Sequence, residues 1–114
     1  MSYSNISFEA GHDGVAIVTV NRPDKLNALN RDTMGELSDA FTRVRDHAAI
    51  RGLIVTGAGE KAFVAGADIK ELAALSAAEA QQLSQRGQAI FRALETTPKP
   101  SVAAINGFAL GGGL

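Results

Sequence analysis

The spacing of apolar residues changes period several times along the chain, and each change marks an element. Ile6, Phe8 and Ala10 alternate with polar neighbours and lead through Gly11-His12-Asp13-Gly14 into Val15-Ala16-Ile17-Val18-Thr19-Val20, which predicts two strands joined by a glycine-flanked turn. The second strand stops at Asn21-Arg22-Pro23-Asp24, where proline has no ladder donor and Asn and Asp favour local turns. A loop over residues 25–30 follows. Asn30 stands at the N-cap of a helix of about four turns, on which Met34, Leu37, Phe41 and Val44 recur every three or four residues and form one stripe for packing on a sheet. After Arg51-Gly52, the short branched run Leu53-Ile54-Val55-Thr56 predicts a strand buried on both faces.

Ser76 and Glu79 have the spacing of a capping box, and Ala80, Leu83, Gly87, Ile90 and Leu94 continue as the apolar face of a second helix. That helix ends near Thr96-Thr97-Pro98, because the residue before a proline leaves the helical region. Pro98-Lys99-Pro100 is extended, and Ser101-Val102-Ala103-Ala104-Ile105 predicts another buried strand running into Asn106-Gly107 and a glycine cluster. Strands alternating with helices predict an α/β arrangement with parallel pairing. No repeat, low-complexity tract or linker divides residues 1–114, so a single domain or part of one is expected.

Composition narrows the functional classes. With 114 residues and 46% hydrophobic content the chain is long enough for one core. Its 11 basic and 12 acidic side chains are scattered and sum to a net charge of -1, which argues against a nucleic-acid partner. The absence of cysteine excludes disulfides, thiolate metal sites and a cysteine nucleophile, and fits a reducing compartment. The first residues lack a basic stretch followed by an apolar one, and no run approaches the roughly 18 apolar residues of a membrane span. The expectation is a cytoplasmic protein that does not engage a membrane.

The candidate chemistry lies in two segments rich in small residues, 57–68 and 107–113, each following a predicted buried strand. In parallel α/β sheets ligands bind at the carboxyl ends of strands. Gly111-Gly112-Gly113 strips the backbone of cover, and if a helix starts there its first amides and its dipole favour an oxyanion. Ala65-Gly66-Ala67-Asp68 offers a second bare turn, and two converging amides form an oxyanion hole. Tight turns or close helix–strand contacts are the competing explanation of such glycines. Asp68 and Glu71, with no histidine nearby, fit a helix start and a solvated face better than metal ligation or acid/base work. His12 in a hairpin turn and His47 at a helix end are not expected to be catalytic. Lys25, Lys61 and Lys70 either meet phosphates or keep the surface soluble. Gly57-Ala58-Gly59-Glu60-Lys61-Ala62 fits the glycine pattern of a dinucleotide-binding fold, but the acidic residue some twenty positions on, Glu79, opens a helix instead of ending a strand.

Four motifs in order, Val18-Thr19-Val20-Asn21-Arg22-Pro23, Leu26-Asn27-Ala28-Leu29-Asn30, Lys61-Ala62-Phe63-Val64-Ala65-Gly66-Ala67-Asp68-Ile69-Lys70-Glu71, and Pro98-Lys99-Pro100 through Ile105-Asn106-Gly107-Phe108-Ala109-Leu110-Gly111-Gly112-Gly113-Leu114, resemble the crotonase, or enoyl-CoA hydratase/isomerase, family. The resemblance covers nearly the whole chain. It implies the α/β, crotonase-like spiral of ββα turns, here incomplete, with residues 1–114 as the amino-terminal portion of one domain. It further implies an oxyanion hole made by the backbone amides of Ala67 and Gly112 around a thioester carbonyl. Lys25, Leu26, Ala28, Ala65, Gly66, Asp68, Ile69 and Lys70 become candidate contacts to coenzyme A, which belongs to the substrate, so no separate cofactor is implied. The implied reaction is addition of water across the 2,3 double bond of an enoyl-CoA, and the implied assembly is a homotrimer or a dimer of trimers. Typical hydratases of the family place a glutamate directly after the glycine cluster and a second one further on. Neither role falls to Glu60, Glu71 or Glu79 without breaking the match, so these residues alone are expected to be inactive. Isomerase, dehalogenase, decarboxylase and thioester hydrolase reactions, and a non-catalytic acyl-CoA-binding remnant, stay open.

Overall fold

The computed structural model describes residues 3–114 and holds strands β1 (Ile6–Ala10), β2 (Val15–Val20), β3 (Gly52–Gly57), β4 (Ala62–Val64), β5 (Ser101–Ala104) and β6 (Phe108–Ala109), with helices α1 (Arg31–Asp46), α2 (Ile69–Ala73) and α3 (Ala77–Glu95). Short 3-10 turns occupy Pro23–Lys25 and Gly111–Gly113. The main sheet has the order β1-β2-β3-β5, antiparallel between β1 and β2 and parallel thereafter, with Ile6 opposite Val20, Val15 opposite Gly52 and Leu53 opposite Ser101. A second, two-stranded parallel sheet pairs β4 with β6, Ala62 opposite Phe108 and Val64 opposite Ala109.

The core forms where the two periodicities meet. Alternation on β2 buries Ala16, Val18 and Val20, and the three-and-four stripe on α1 buries Met34, Leu37, Phe41 and Val44 against them. Removing a side chain such as Leu37 from water is worth about 1.5–3 kcal/mol, so this one interface dominates the hydrophobic stabilisation. The ends of α1 are satisfied as its sequence predicts and in one further way. Asn30 Oδ1 accepts the Thr33 amide at 2.9 Å, and at the other end Lys99 Nζ donates to the carbonyls of Val44 at 2.6 Å and His47 at 2.8 Å.

Several expectations need correction. β3 is not buried on both faces: Leu53 and Gly57 are buried, whereas Ile54, Val55 and Thr56 are half-buried. β5 is exposed along its whole length, with Val102 59% accessible, because among the described residues it pairs only with β3 and carries no covering layer. On α3, by contrast, the capping box of Ser76 and Glu79 is present and the predicted stripe is the less exposed face, with Ile90 buried, Ala80, Leu83, Gly87 and Leu94 half-buried, and the other residues of the helix exposed. β4 and β6 lie inside segments read as loops, as their three and two residues are too short to show a period.

Two asparagines hold the loop between β3 and β4. Asn27, 1% exposed, accepts the Arg22 amide at 2.9 Å and donates to the carbonyls of Ala58 at 3.0 Å and Ala62 at 2.9 Å. From the other side Asn106 donates to the carbonyls of Gly57, Gly59 and Ala62 and accepts the Gly57 amide. Both Leu26 and Asn27 have left-handed backbone, φ +53° and +56°, a conformation that asparagine tolerates and leucine does not favour. The side-chain bonds of Asn27 stabilise this conformation. Replacing Asn27 with Ala removes three hydrogen bonds and leaves the part-buried Arg22 amide and Ala58 carbonyl without these partners, while the Ala62 carbonyl keeps Asn106, and the Asn27→Ala chain is expected to lose about 1–3 kcal/mol of stability in urea unfolding.

Candidate functional site

The site is built outward from the end of β2. The 3-10 turn at Pro23–Lys25 folds the chain back through bonds from the Lys25 and Asn27 amides to the Arg22 carbonyl, at 2.9 and 2.8 Å. Residues 26–29 then run beside residues 65–68. The Ala65 amide donates to the Leu26 carbonyl at 3.1 Å, the Leu29 amide to Gly66 at 2.8 Å, and the Asp68 amide to Leu29 at 2.8 Å. Leu29 and Ala67 are thus partners in an isolated parallel bridge. The bonds straddle Ala67 and leave its own N–H without a backbone acceptor among the described residues. Gly66 has φ +117°, a conformation that a β-carbon would penalise.

The glycine cluster abuts this bridge. The Leu110 amide donates to the Val64 carbonyl at 3.1 Å, and the turn closes through Gly113 N–H to Leu110 at 2.8 Å and Leu114 N–H to Gly111 at 3.0 Å. These three bonds leave the Gly112 amide, in the first turn, without an acceptor among the described residues. The three glycines themselves form a 3-10 turn. A β-carbon on Gly113 would collide with the Val64 carbonyl, so packing alone demands glycine there. Gly112 differs: a β-carbon would lie 3.6 Å from Leu29 Cδ1, an ordinary contact. No packing reason among the described residues explains why position 112 lacks a side chain.

The remaining candidates sort by placement. Leu26, Ala28, Ala65, Gly66 and Asp68 are brought together by the paired segments, while Lys25, Ile69 and Lys70 are exposed at their margin. The Asp68 carboxylate is fully engaged. Oδ1 accepts the amides of Lys70 at 3.1 Å and Glu71 at 3.3 Å, and Oδ2 meets Arg22 Nη2 at 3.2 Å. The Glu71 amide foremost, and then the Arg22 guanidinium, hold this carboxyl below its ordinary pKa.

An apolar hollow of about 320 Å³ opens beside Ala67, between Leu29, Met34, Leu72, Leu83 and Phe91. A second, of about 500 Å³, reaches Gly112 from the β5 side. Glu71 borders the smaller hollow, but its Oε1 accepts the Arg31 amide at 2.8 Å; Glu79 serves the α3 cap and Glu60 is exposed. His12 lies exposed in the first turn and His47 at the end of α1. The dinucleotide alternative fails on geometry, because Gly57-Ala58-Gly59 leads into strand β4 where a phosphate site needs a helix N-terminus. Sequence reasoning missed Arg22, taken as part of a turn, and Asn27. Besides local bonds to each other and to Ala28, they reach partners 46 and 31–35 residues away, beyond any local pattern.

Two bare amides on adjoining segments, an apolar hollow reaching each of them and cations at the rim make up the candidate site. The chain belongs to the enoyl-CoA hydratase/isomerase family, whose sequence profile matches residues 10–114. It is 50% identical over 113 residues to a crotonyl-CoA hydratase of Syntrophomonas wolfei and 45% identical to a short-chain-enoyl-CoA hydratase of Clostridium acetobutylicum, spanning 99% of this chain and 43% of each relative. The crystal structure of an enoyl-CoA hydratase from Bacillus anthracis superposes with a TM-score of 0.92 at 38% identity, covering 96% of this chain and 43% of that one. The crotonase-like α/β fold is therefore present in part: the chain spans less than half the length of these relatives.

The contrast between the glycines is testable. Gly112→Ala should leave thermal unfolding within about 1 kcal/mol of the parent, whereas Gly113→Ala, which must displace the β4 backbone, should cost about 1–3 kcal/mol or more. Calorimetry or urea titration of the two variants side by side reads the difference.

Proposed function

We propose that this chain supplies the carbonyl-binding half of an enoyl-CoA hydratase-type site. The observation that carries the reading is the pair of unpartnered amides, Ala67 and Gly112, on segments joined by the bond from the Leu110 amide to the Val64 carbonyl and by the pairing of β4 with β6. A thioester oxygen accepting both N–H groups draws electron density from the conjugated double bond. Water then adds its oxygen at C3 while giving up one proton to a base, electron density collects on the thioester oxygen, and a proton delivered to C2 completes the hydroxyacyl thioester. Donors aimed at the oxygen that gains charge stabilise this enolate-like state, each by about 2.7–4 kcal/mol.

The acyl chain fits the apolar hollow beside Ala67, walled by Leu29 and by Met34 of α1, Leu72 of α2 and Leu83 and Phe91 of α3. The groups at Lys25, Leu26, Ala28, Ala65, Gly66, Asp68, Ile69 and Lys70 line the path for coenzyme A, chiefly through backbone atoms, with the exposed Lys25 and Lys70 ammonium groups available to phosphates. Proton delivery and removal fall to carboxylates outside these residues, since Glu71 and Glu79 are committed to helix termini. The exposed apolar residues Val102, Ile105, Phe108 and Leu110 are consistent with burial in a homotrimer or under further chain. Carbonyl polarisation by itself also serves isomerase, dehalogenase, decarboxylase and hydrolase chemistry; the hydratase relatives favour hydration.

The test is loss of the conjugated enoyl thioester absorbance of crotonyl-CoA, measured on the intact gene product and its Gly112→Ala variant. Hydration by the parent and a loss of about hundredfold in kcat in the folded variant are expected, the scale of a roughly 1 Å displacement of the reacting carbonyl. A well-folded parent that neither hydrates nor binds acyl-CoA would refute the assignment.

A further inference from the structure

We infer that Arg22 is a positioning residue that acts on the oxyanion through two peptide groups in series; the inference rests on the thioester reading of Ala67. The Arg22 side chain is 12% exposed. Its Nη1 donates to the Ala28 carbonyl, and its Nη2 meets Asp68 Oδ2 at 3.2 Å. In a trans peptide the C=O and the following N–H point in opposite directions, and the described chain has no cis bond. The Ala28 carbonyl that receives Arg22 therefore shares one plane with the Leu29 N–H, which donates to the Gly66 carbonyl at 2.8 Å. The Gly66 carbonyl shares the next plane with the Ala67 N–H, which points away from Leu29 and is left unpartnered. A cation at one end and a free donor at the other are joined by hydrogen-bonded peptides.

Two physical consequences follow. Hydrogen bonds in such a chain polarise one another in the same sense, so the guanidinium strengthens the final Ala67 donor. Asp68 also places a carboxylate on the residue next to Ala67, a charge that would repel an oxyanion, and Arg22 pairs with that charge. The same guanidinium fixes the distance between the two paired segments, because it binds Ala28 on one and Asp68 on the other. None of these contacts involves the reacting atoms.

The readout is the infrared carbonyl stretch of butanoyl-CoA, labelled with carbon-13 at the thioester carbon, bound to the intact gene product. This saturated probe cannot be hydrated. Wild type should lower the stretch from its value in water, Arg22→Lys should keep part of that displacement, and Arg22→Gln should keep the least. With crotonyl-CoA, Arg22→Lys should lower kcat about tenfold, less than the roughly hundredfold of a lost donor, with KM changed less than about threefold. An Arg22→Lys protein that binds butanoyl-CoA with an undiminished displacement and unchanged kcat would overturn the relay, as would a fall confined to KM. If Arg22→Gln does not fold, Arg22→Lys decides. Absence of any displacement in the wild type would instead overturn the thioester reading, so the two failures are distinguishable.

Discussion

Everything proposed for this chain depends on the parallel bridge in which Leu29 bonds to Gly66 on one side of Ala67 and to Asp68 on the other. A backbone amide has no rotamers, so its direction is set by the peptide plane it belongs to. Once the Gly66 carbonyl is held by Leu29, the Ala67 N–H has one direction available. A donor aimed in advance pays no reorganisation when charge develops on its acceptor, which is why such groups stabilise transition states effectively.

The surrounding structure keeps that bridge in place. Asn27 and Asn106 grip the loop between β3 and β4 from opposite sides, and their shared acceptor, the Ala62 carbonyl, opens the strand that carries the chain to Gly66. The left-handed backbone at Leu26 and Asn27 turns the chain so that Leu29 can reach Gly66. Gly113 allows the glycine turn to sit directly on Val64, bringing Gly112 beside the same leucine. The sheet and α1 contribute differently: they bury the apolar surface that stabilises the fold, and the site occupies one edge of it.

Sequence reading was most successful where an element is amphipathic and capped. The limits of β1, β2, α1 and α3 follow from alternation, from the three-and-four stripe and from Asn30 and Ser76. It was weaker for burial, because whether Val102 lies inside depends on what stands over β5, and a local run of apolar residues does not contain that information. Bare amides at Ala67 and Gly112 were accessible from glycine content and family resemblance, and the structure adds which glycine is demanded by packing and which is not. The Arg22 and Asn27 networks were not accessible. They join residues dozens of positions apart through single hydrogen bonds that leave no periodic trace.

The central claim is that one oxygen is held by two particular amides. A crystal structure of the intact gene product with a bound acyl-CoA thioester addresses it directly. The account predicts the thioester oxygen at about 2.7–3.1 Å from both the Ala67 and Gly112 nitrogens. A thioester bound with its oxygen facing solvent, or gripped by other donors while these two amides remain free, would contradict it.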